Sequence, residues 1–222
     1  GSIALKGATV EKRFGNATPR IAEVEAGMIN SIGLQNPSAQ VIVDQELKKL
    51  AELVDYKVIA NVAGGCLEEY VECAKIMASS DLVGIIELNV SCPNVKAGGV
   101  HFGSDLAVLT ELIKEVKKVV DKPVYVKLSP NVTDIVAIAK ACEDAGCDGL
   151  VVINTLIGMK IDIYKAKPVI ANKMGGLSGG CIHPVAVRMI YQIYQAVNIP
   201  IIGVGGINNA HDVVEMMMAG AS

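Results

Sequence analysis

Short apolar runs rich in valine and isoleucine recur along the chain, separated by longer stretches whose apolar residues return every three or four positions. The runs are Ile3–Lys6, Lys57–Asn61, Gly84–Asn89, Val124–Lys127, Leu150–Asn154 and Pro200–Val204. None shows strict polar alternation, which is how a parallel strand buried on both faces reads. The stretches Asp44–Val54, Leu67–Ser79, Asp105–Val120, Val132–Ala145, Pro184–Val197 and Ala210–Ala219 read as amphipathic helices. Asn131 with Asp134, and Asn209 with Asp212, mark helix starts, and Gly146 marks a helix stop.

Repeated β–α units predict a parallel sheet, either doubly wound or closed into a barrel. The polar residues favour the barrel. Lys6, Asn61, Asn89, Lys127, Asn154 and the Gly205-Gly206 pair all fall at the C-terminal ends of strands, the face on which a (β/α)8 barrel builds its active site. A doubly wound sheet gathers its ligand residues at one switch point instead. Six strands are legible where a closed barrel has eight. The chain opens almost inside a strand and stops at Ala219-Gly220-Ala221-Ser222, so the expectation is one α/β barrel domain over residues 1–222, lacking a β–α unit at each end. Two insertions, Thr9–Ser38 and Thr155–His183, are long enough to read as lids or binding loops.

With 222 residues, 51% of them hydrophobic, the chain can bury one sizeable core. Its 20 basic and 23 acidic residues leave a formal net charge of −3, which argues against a nucleic-acid partner held by phosphate neutralisation. No apolar run reaches the roughly 18 residues that span a bilayer, and no signal peptide is legible, so a soluble cytoplasmic protein is expected. The 6 cysteines form no C-x-x-C pair and no zinc-like spacing with histidine. Cys73, Cys142 and Cys147 fall in helical segments, where packing accounts for them. Neither a disulfide framework nor an iron–sulfur cluster carried by this chain is expected.

Candidate chemistry centres on Asn89-Val90-Ser91-Cys92-Pro93-Asn94, at a strand end before a loop containing Gly98, Gly99 and Gly103. A free thiol with a pKa of about 8.5 is little ionised at neutral pH, so packing or a satisfied turn explains it as readily as chemistry. The two flanking amides, each with a carbonyl acceptor and an NH2 donor, suit a ring bearing alternating C=O and N–H groups. Gly203-Val204-Gly205-Gly206 ends a strand ahead of a helix, where backbone N–H groups can approach a phosphate. Lys6 and Lys127 each close a strand. Separately each reads as a solvent-seeking lysine, and together beside the amides they favour an anionic ligand. His101 is open to a reading as a base, while His183 and His211 read as helix-start residues. A hydrolytic triad has no support.

These motifs, taken in order, resemble those of the dihydroorotate dehydrogenase family, and within it class 1B. The resemblance runs through Lys6-Gly7-Ala8-Thr9, Arg13-Phe14-Gly15-Asn16, Asn30-Ser31-Ile32-Gly33-Leu34-Gln35-Asn36-Pro37 and the Cys92 segment up to Lys96. It continues through Val126-Lys127-Leu128-Ser129-Pro130-Asn131, Ile153-Asn154-Thr155, Gly175-Gly176-Leu177-Ser178-Gly179 and Gly203-Val204-Gly205-Gly206. The resemblance implies an FMN-containing barrel that oxidises dihydroorotate to orotate in pyrimidine biosynthesis. It makes Cys92 the base that removes the C5 proton while C6 passes a hydride to flavin N5. It implies a substrate cage of Lys6, Asn30, Ile32, Gly33, Leu34, Asn89, Asn94, Asn154 and Thr155. For FMN it implies Lys6, Gly7, Asn61, Asn89, Lys127, Ile153, Gly179, Gly205 and Gly206. A serine base marks the membrane-linked class 2, so Cys92 points away from it.

The resemblance further implies a partner subunit carrying FAD and an iron–sulfur cluster that delivers electrons to NAD, with homodimerisation completing a heterotetramer. Family members carry a strand before Ile3 and another after Ser222, the latter with a Gly-Thr pair at the FMN phosphate. Lys6-Gly7 stands where Lys-Ser or Lys-Ala is common. Two other readings stay open: a dihydropyrimidine-type flavin dehydrogenase, whose members tend to have His where Asn94 stands, and an inactive barrel fragment.

Overall fold

The computed structural model describes residues 1–91, 103 and 105–222. A hairpin of β1 (Ile21–Val24) and β2 (Gly27–Asn30) comes first. A helical stretch follows, α1 (Ala39–Val41), a π-turn over Ile42–Glu46, and α2 (Leu47–Ala51). Strand and helix then alternate through β3 (Val58–Val62), α3 (Leu67–Ala78), β4 (Val83–Asn89), α4 (Leu106–Val119), β5 (Val124–Leu128), α5 (Ile135–Asp144) and β6 (Gly149–Val152). Four short strands interrupt the series: β7 (Leu156–Met159), β8 (Ile161–Asp162), β9 (Lys167–Pro168) and β10 (Met174–Ser178). It resumes with α6 (His183–Tyr194), β11 (Ile201–Gly203) and α7 (Ala210–Ala219).

Strands β3, β4, β5, β6 and β11 form a parallel sheet in sequential order. Right-handed crossovers between successive parallel strands place every helix on the same face, and that one-sided cover curls a sheet toward a barrel. A doubly wound sheet reverses its strand order partway across, and this one does not. The architecture is therefore the α/β arrangement of a (β/α)8 barrel, expected from the strand-end placement of polar residues.

Strands β3 and β6 are buried on both faces, as their apolar pattern predicts, whereas β4, β5 and β11 include partly exposed positions. Ile86, Leu88, Val126, Leu128, Leu150 and Val152 are all 1% exposed or less. The helices turn matching stripes onto them, such as Tyr70, Cys73, Ala74 and Met77 on α3 and Leu109, Leu112, Ile113 and Val116 on α4. Each fully buried aliphatic side chain contributes about 1.5–3 kcal/mol relative to exposure. Cys73, Cys142 and Cys147 belong to this core, and burial pushes the Cys73 thiol up to about 12.

Several boundaries depart from the sequence expectation. Ile3–Lys6 is not a regular strand. It runs parallel to β3 through the isolated bridges Ala4↔Ile59 and Ala8↔Val62, and so occupies the next position in the sheet without a continuous ladder. The helix expected over Asp44–Val54 begins near Ala39 instead, where the Ser38 side chain accepts from the Val41 N–H. Asn131 does not start a helix. Asp134 caps α5, while Asn131 donates to Thr155 O at 2.9 Å and accepts from the Ile157 N–H at 2.8 Å.

The largest departure concerns the two insertions. They pair with each other in a four-stranded antiparallel sheet of order β1-β2-β10-β7. Its inner face buries a small cluster of Ala22, Ile29 and Ile170, backed by Val24, Val169 and Leu177. The pairing joins segments about 150 positions apart in sequence, far beyond the reach of local pattern reading.

Helix α7 begins at a capping box. Asn209 Oδ1 accepts from the N–H groups of His211 and Asp212, and the Asp212 carboxylate reaches back to the Asn209 N–H. We expect Asn209→Ala to lower stability by about 1 kcal/mol, read as a shift of the urea midpoint at constant slope. An unshifted midpoint would contradict the cap.

Candidate active site

The C-terminal ends of the parallel strands gather polar side chains that the apolar strand bodies leave no other place for. Asn61 lies near the end of β3, Asn89 closes β4, Lys127 lies on β5, and Asn154 follows β6. Their side chains form one connected row. Asn154 Nδ2 donates to Asn89 Oδ1 at 3.1 Å, Asn89 Nδ2 donates to Asn61 Oδ1 at 3.4 Å, and Asn61 Nδ2 donates to Glu87 Oε1. At the other end the Thr155 N–H donates to Asn154 Oδ1 at 2.8 Å. Each amide has two N–H donors and two acceptor sites, so the internal bonds leave capacity for a ligand.

Glu87, which the sequence reading did not single out, anchors one end of the row. It sits inside β4 at 2% exposure, and its Oε1 also lies 3.6 Å from Lys127 Nζ. A buried carboxylate needs hydrogen bonds and a counter-charge, and Asn61 and Lys127 supply them. The available signal was a lone acid within the apolar run Gly84–Asn89. Tyr70, buried on α3, adds support from behind by donating its hydroxyl to Asn89 O at 2.7 Å.

The segment after β2 closes over this row. Asn30 Nδ2 donates to Gly176 O at 3.4 Å, linking β2 to β10. Beyond it, Ile32 O accepts from the Asn16 N–H at 2.9 Å, and Leu34 O accepts from Asn36 Nδ2 at 2.7 Å. Gly33 takes φ +78°, and a Cβ there would lie 2.7 Å from Asn16 Cγ, so only glycine fits the turn. Asn16 and the buried Asn36, neither assigned a role from sequence, thus shape the loop that carries Ile32, Gly33 and Leu34.

Gly7 brings the two parts together. A Cβ at this position would lie 2.7 Å from Asn61 Oδ1 and 3.0 Å from Leu34 Cδ2. Glycine at this position therefore leaves out a side chain that would press on the amide row. Thr155 packs likewise against Gly176, where any side chain would collide with its hydroxyl.

A second cluster forms from glycines. Gly205 and Gly206, just past β11, adopt φ +142° and +65°. Gly179, at φ +115°, follows β10, and its carbonyl oxygen would be 2.5 Å from a Cβ on Gly206. Among the described residues, no hydrogen bond uses the N–H of Gly179, Gly205 or Gly206. A bare backbone cradle with free N–H groups fits an oxyanion such as phosphate.

Asn30, Asn61, Asn89, Lys127, Asn154, Thr155, Leu34 and Gly7 are brought into one connected mouth, and Gly179 meets Gly206. Lys6 is exposed and makes no hydrogen bond or ion pair with another described residue. Ile153 is buried at 1% exposure. Cys92, Asn94 and His101 lie outside the described residues.

We expect Glu87→Ala to destabilise the fold by about 3 kcal/mol, because it strands the Lys127 ammonium and the Asn61 NH2. Glu87→Gln keeps an acceptor for Asn61 and should cost less. Urea denaturation of both variants decides it: an effect below about 0.5 kcal/mol for Glu87→Ala, typical of a surface site, would refute the buried pairing.

Comparison with known proteins bears on this geometry. The family profile described as Dihydroorotate dehydrogenase matches residues 1–222. The chain is 58% identical over 222 residues to the dihydroorotate dehydrogenase B (NAD(+)), catalytic subunit, of a Geobacillus species, covering all of this chain and 71% of that protein. The protein of the same description from Malacoplasma penetrans is also 58% identical, with 100% and 72% covered. That from Halalkalibacterium halodurans is 57% identical over 221 residues, with 100% and 72% covered. Among solved structures, a FabK mutant from Thermotoga maritima superposes with a TM-score of 0.52 at 17% identity, over 86% of this chain and 49% of that one. That likeness extends to the fold alone.

Proposed function

The chain belongs to the dihydroorotate dehydrogenase family, and from that premise we propose that it oxidises dihydroorotate to orotate in pyrimidine (UMP) biosynthesis, using FMN. The observation that carries this reading is the directed row of amides, Asn154 to Asn89 to Asn61, ending on Glu87 at the strand ends. Pyrimidines and flavins both present alternating C=O and N–H groups along a ring edge, and a row of primary amides with spare donors and acceptors matches such an edge.

The residues also fit FMN in particular. Lys127, Asn61, Asn89, Lys6 and the backbones of Gly7 and Ile153 would hold the ring system. Gly179, Gly205 and Gly206 offer free N–H groups to its phosphate. When bound, FMN supplies the acceptor for the hydride that leaves C6 of the substrate. The chain's own residues do the remainder. Asn30, Asn89, Asn94, Asn154 and Thr155 orient the ring, with Lys6 for its carboxylate and Ile32, Gly33 and Leu34 covering it against water. Cys92 takes the proton from C5. It does so as the thiolate, a minor form of a free thiol at neutral pH, so the substrate must be held with C5–H against the sulfur.

The relatives' description as an NAD(+)-linked catalytic subunit supports a further part of the reading. Electrons pass on to NAD through a partner subunit with FAD and an iron–sulfur cluster, in a cytoplasmic heterotetramer built on a homodimer of this chain. Among the described residues no helix is long and apolar enough to cross a membrane.

The direct test is anaerobic mixing of the flavin-loaded protein with dihydroorotate, read as loss of the flavin's visible absorbance. Loss with dihydrouracil and not with dihydroorotate would overturn the substrate assignment. Cys92→Ala should retain FMN and slow dihydroorotate oxidation by roughly 10²–10⁴-fold, the usual worth of a general base. A wild-type rate in that variant would remove Cys92 from the mechanism. NAD reduction is expected only after the partner subunit is added. Rapid NAD reduction by this protein alone would show that no partner is needed.

A further inference from the structure

We propose that His183 is a positioning residue for the phosphate end of the cofactor, holding the Gly205–Gly206 peptide so that its N–H faces the phosphate. This rests on the FMN reading above and adds a side chain to a cradle otherwise made of backbone.

His183 opens α6 and is 8% exposed, an unusual depth for a polar residue at a helix start. Its Nδ1 lies 2.9 Å from Gly205 O. A carbonyl oxygen can only accept, so Nδ1 carries the proton and donates. Its Nε2 lies 3.1 Å from Glu215 Oε2 on α7, to which it donates when both ring nitrogens carry a proton, steadying the ring from its far side.

The consequence follows from peptide geometry. In a trans peptide the C=O of one residue and the N–H of the next point in opposite directions. Tying Gly205 O to His183 therefore turns the Gly206 N–H away from the imidazole. The next peptide is handled the same way: Asn208 Nδ2 donates to Gly206 O at 2.9 Å, which turns the Ile207 N–H outward. Neither the Gly206 nor the Ile207 N–H has a hydrogen-bond partner among the described residues. Two consecutive unpaired N–H groups are what an anion-binding concavity is built from, and here each follows a carbonyl gripped by a side chain.

Gly205 and Gly206 have backbone angles that other residues rarely adopt, and a Cβ on Gly206 would lie 3.0 Å from the His183 backbone nitrogen. Asp212 anchors the far end by accepting from the Asn208 N–H at 2.7 Å and the Asn209 N–H at 3.2 Å. Without the imidazole, the buried Gly205 carbonyl loses its donor and the peptide is free to rotate.

The test compares FMN with riboflavin, which has the same ring system and no phosphate. Dissociation constants are measured by flavin fluorescence for the purified wild type and for His183→Ala and His183→Asn. We expect His183→Ala to weaken FMN by about tenfold while riboflavin moves by less than about twofold. His183→Asn, whose NH2 can reach the same carbonyl, should recover most of the FMN affinity. Equal weakening of both flavins, unchanged FMN affinity in His183→Ala, or failure of Asn to recover it would each overturn the proposal. Glu215→Ala, at an exposed position, serves if His183→Ala does not fold. A weakening confined to FMN supports the role, and none, or one shared with riboflavin, overturns it. A wild type that binds FMN and leaves dihydroorotate unoxidised would refute the function proposed above and leave this inference standing.

Discussion

The carboxylate of Glu87 can only accept hydrogen bonds, and that asymmetry orders the whole mouth of the barrel. A primary amide can face its neighbour either way round, so a row of three has no inherent direction. An acceptor at one end removes the choice. Asn61 must turn its NH2 to Glu87, which leaves its oxygen for Asn89, whose oxygen is in turn left for Asn154. The Lys127 ammonium balances the buried charge from the neighbouring strand. One acidic residue within an apolar strand thereby sets the direction of a row that runs from β3 through its own strand to the residue after β6.

Around that row the molecule uses two frames. The parallel strands supply Asn61, Asn89, Lys127 and Asn154 from rigid, deeply buried elements. The antiparallel sheet supplies Asn30 directly and carries the segment from Ile32 to Leu34. Its own core is only Ala22, Ile29 and Ile170 with a few flanking side chains. Glycines make the frames meet, because Gly7 and Gly176 are the places where any side chain would hold them apart.

What was legible in the sequence was what local periodicity and strand-end chemistry encode. Five of the six expected strands, the amphipathic helices that follow them and the Asn209–Asp212 cap all form close to where the pattern puts them. The strand-end amides and Lys127 could be read because a polar residue closing an apolar run has few structural explanations. Ile3–Lys6 fell short of a strand because pattern cannot report whether a neighbouring ladder is continuous. The antiparallel sheet was illegible for a different reason. Its strands are short and its central pairing, β2 with β10, spans most of the chain, so neither length nor alternation announced them. Glu87 and His183 show the same limit at single-residue scale, since each matters through partners on other elements that only folding brings near.

The division into two frames also bears on how such a protein can change over generations. Substitutions within the small sheet move Asn30 and the Ile32–Leu34 segment while leaving Glu87, Lys127 and the glycine cradle in place. On the function proposed above, a lineage could therefore drift in which ring it accepts without first losing its cofactor. Changes at the strand ends of the barrel carry no such freedom, because the row of amides is read from one end and an error at any link is passed along it.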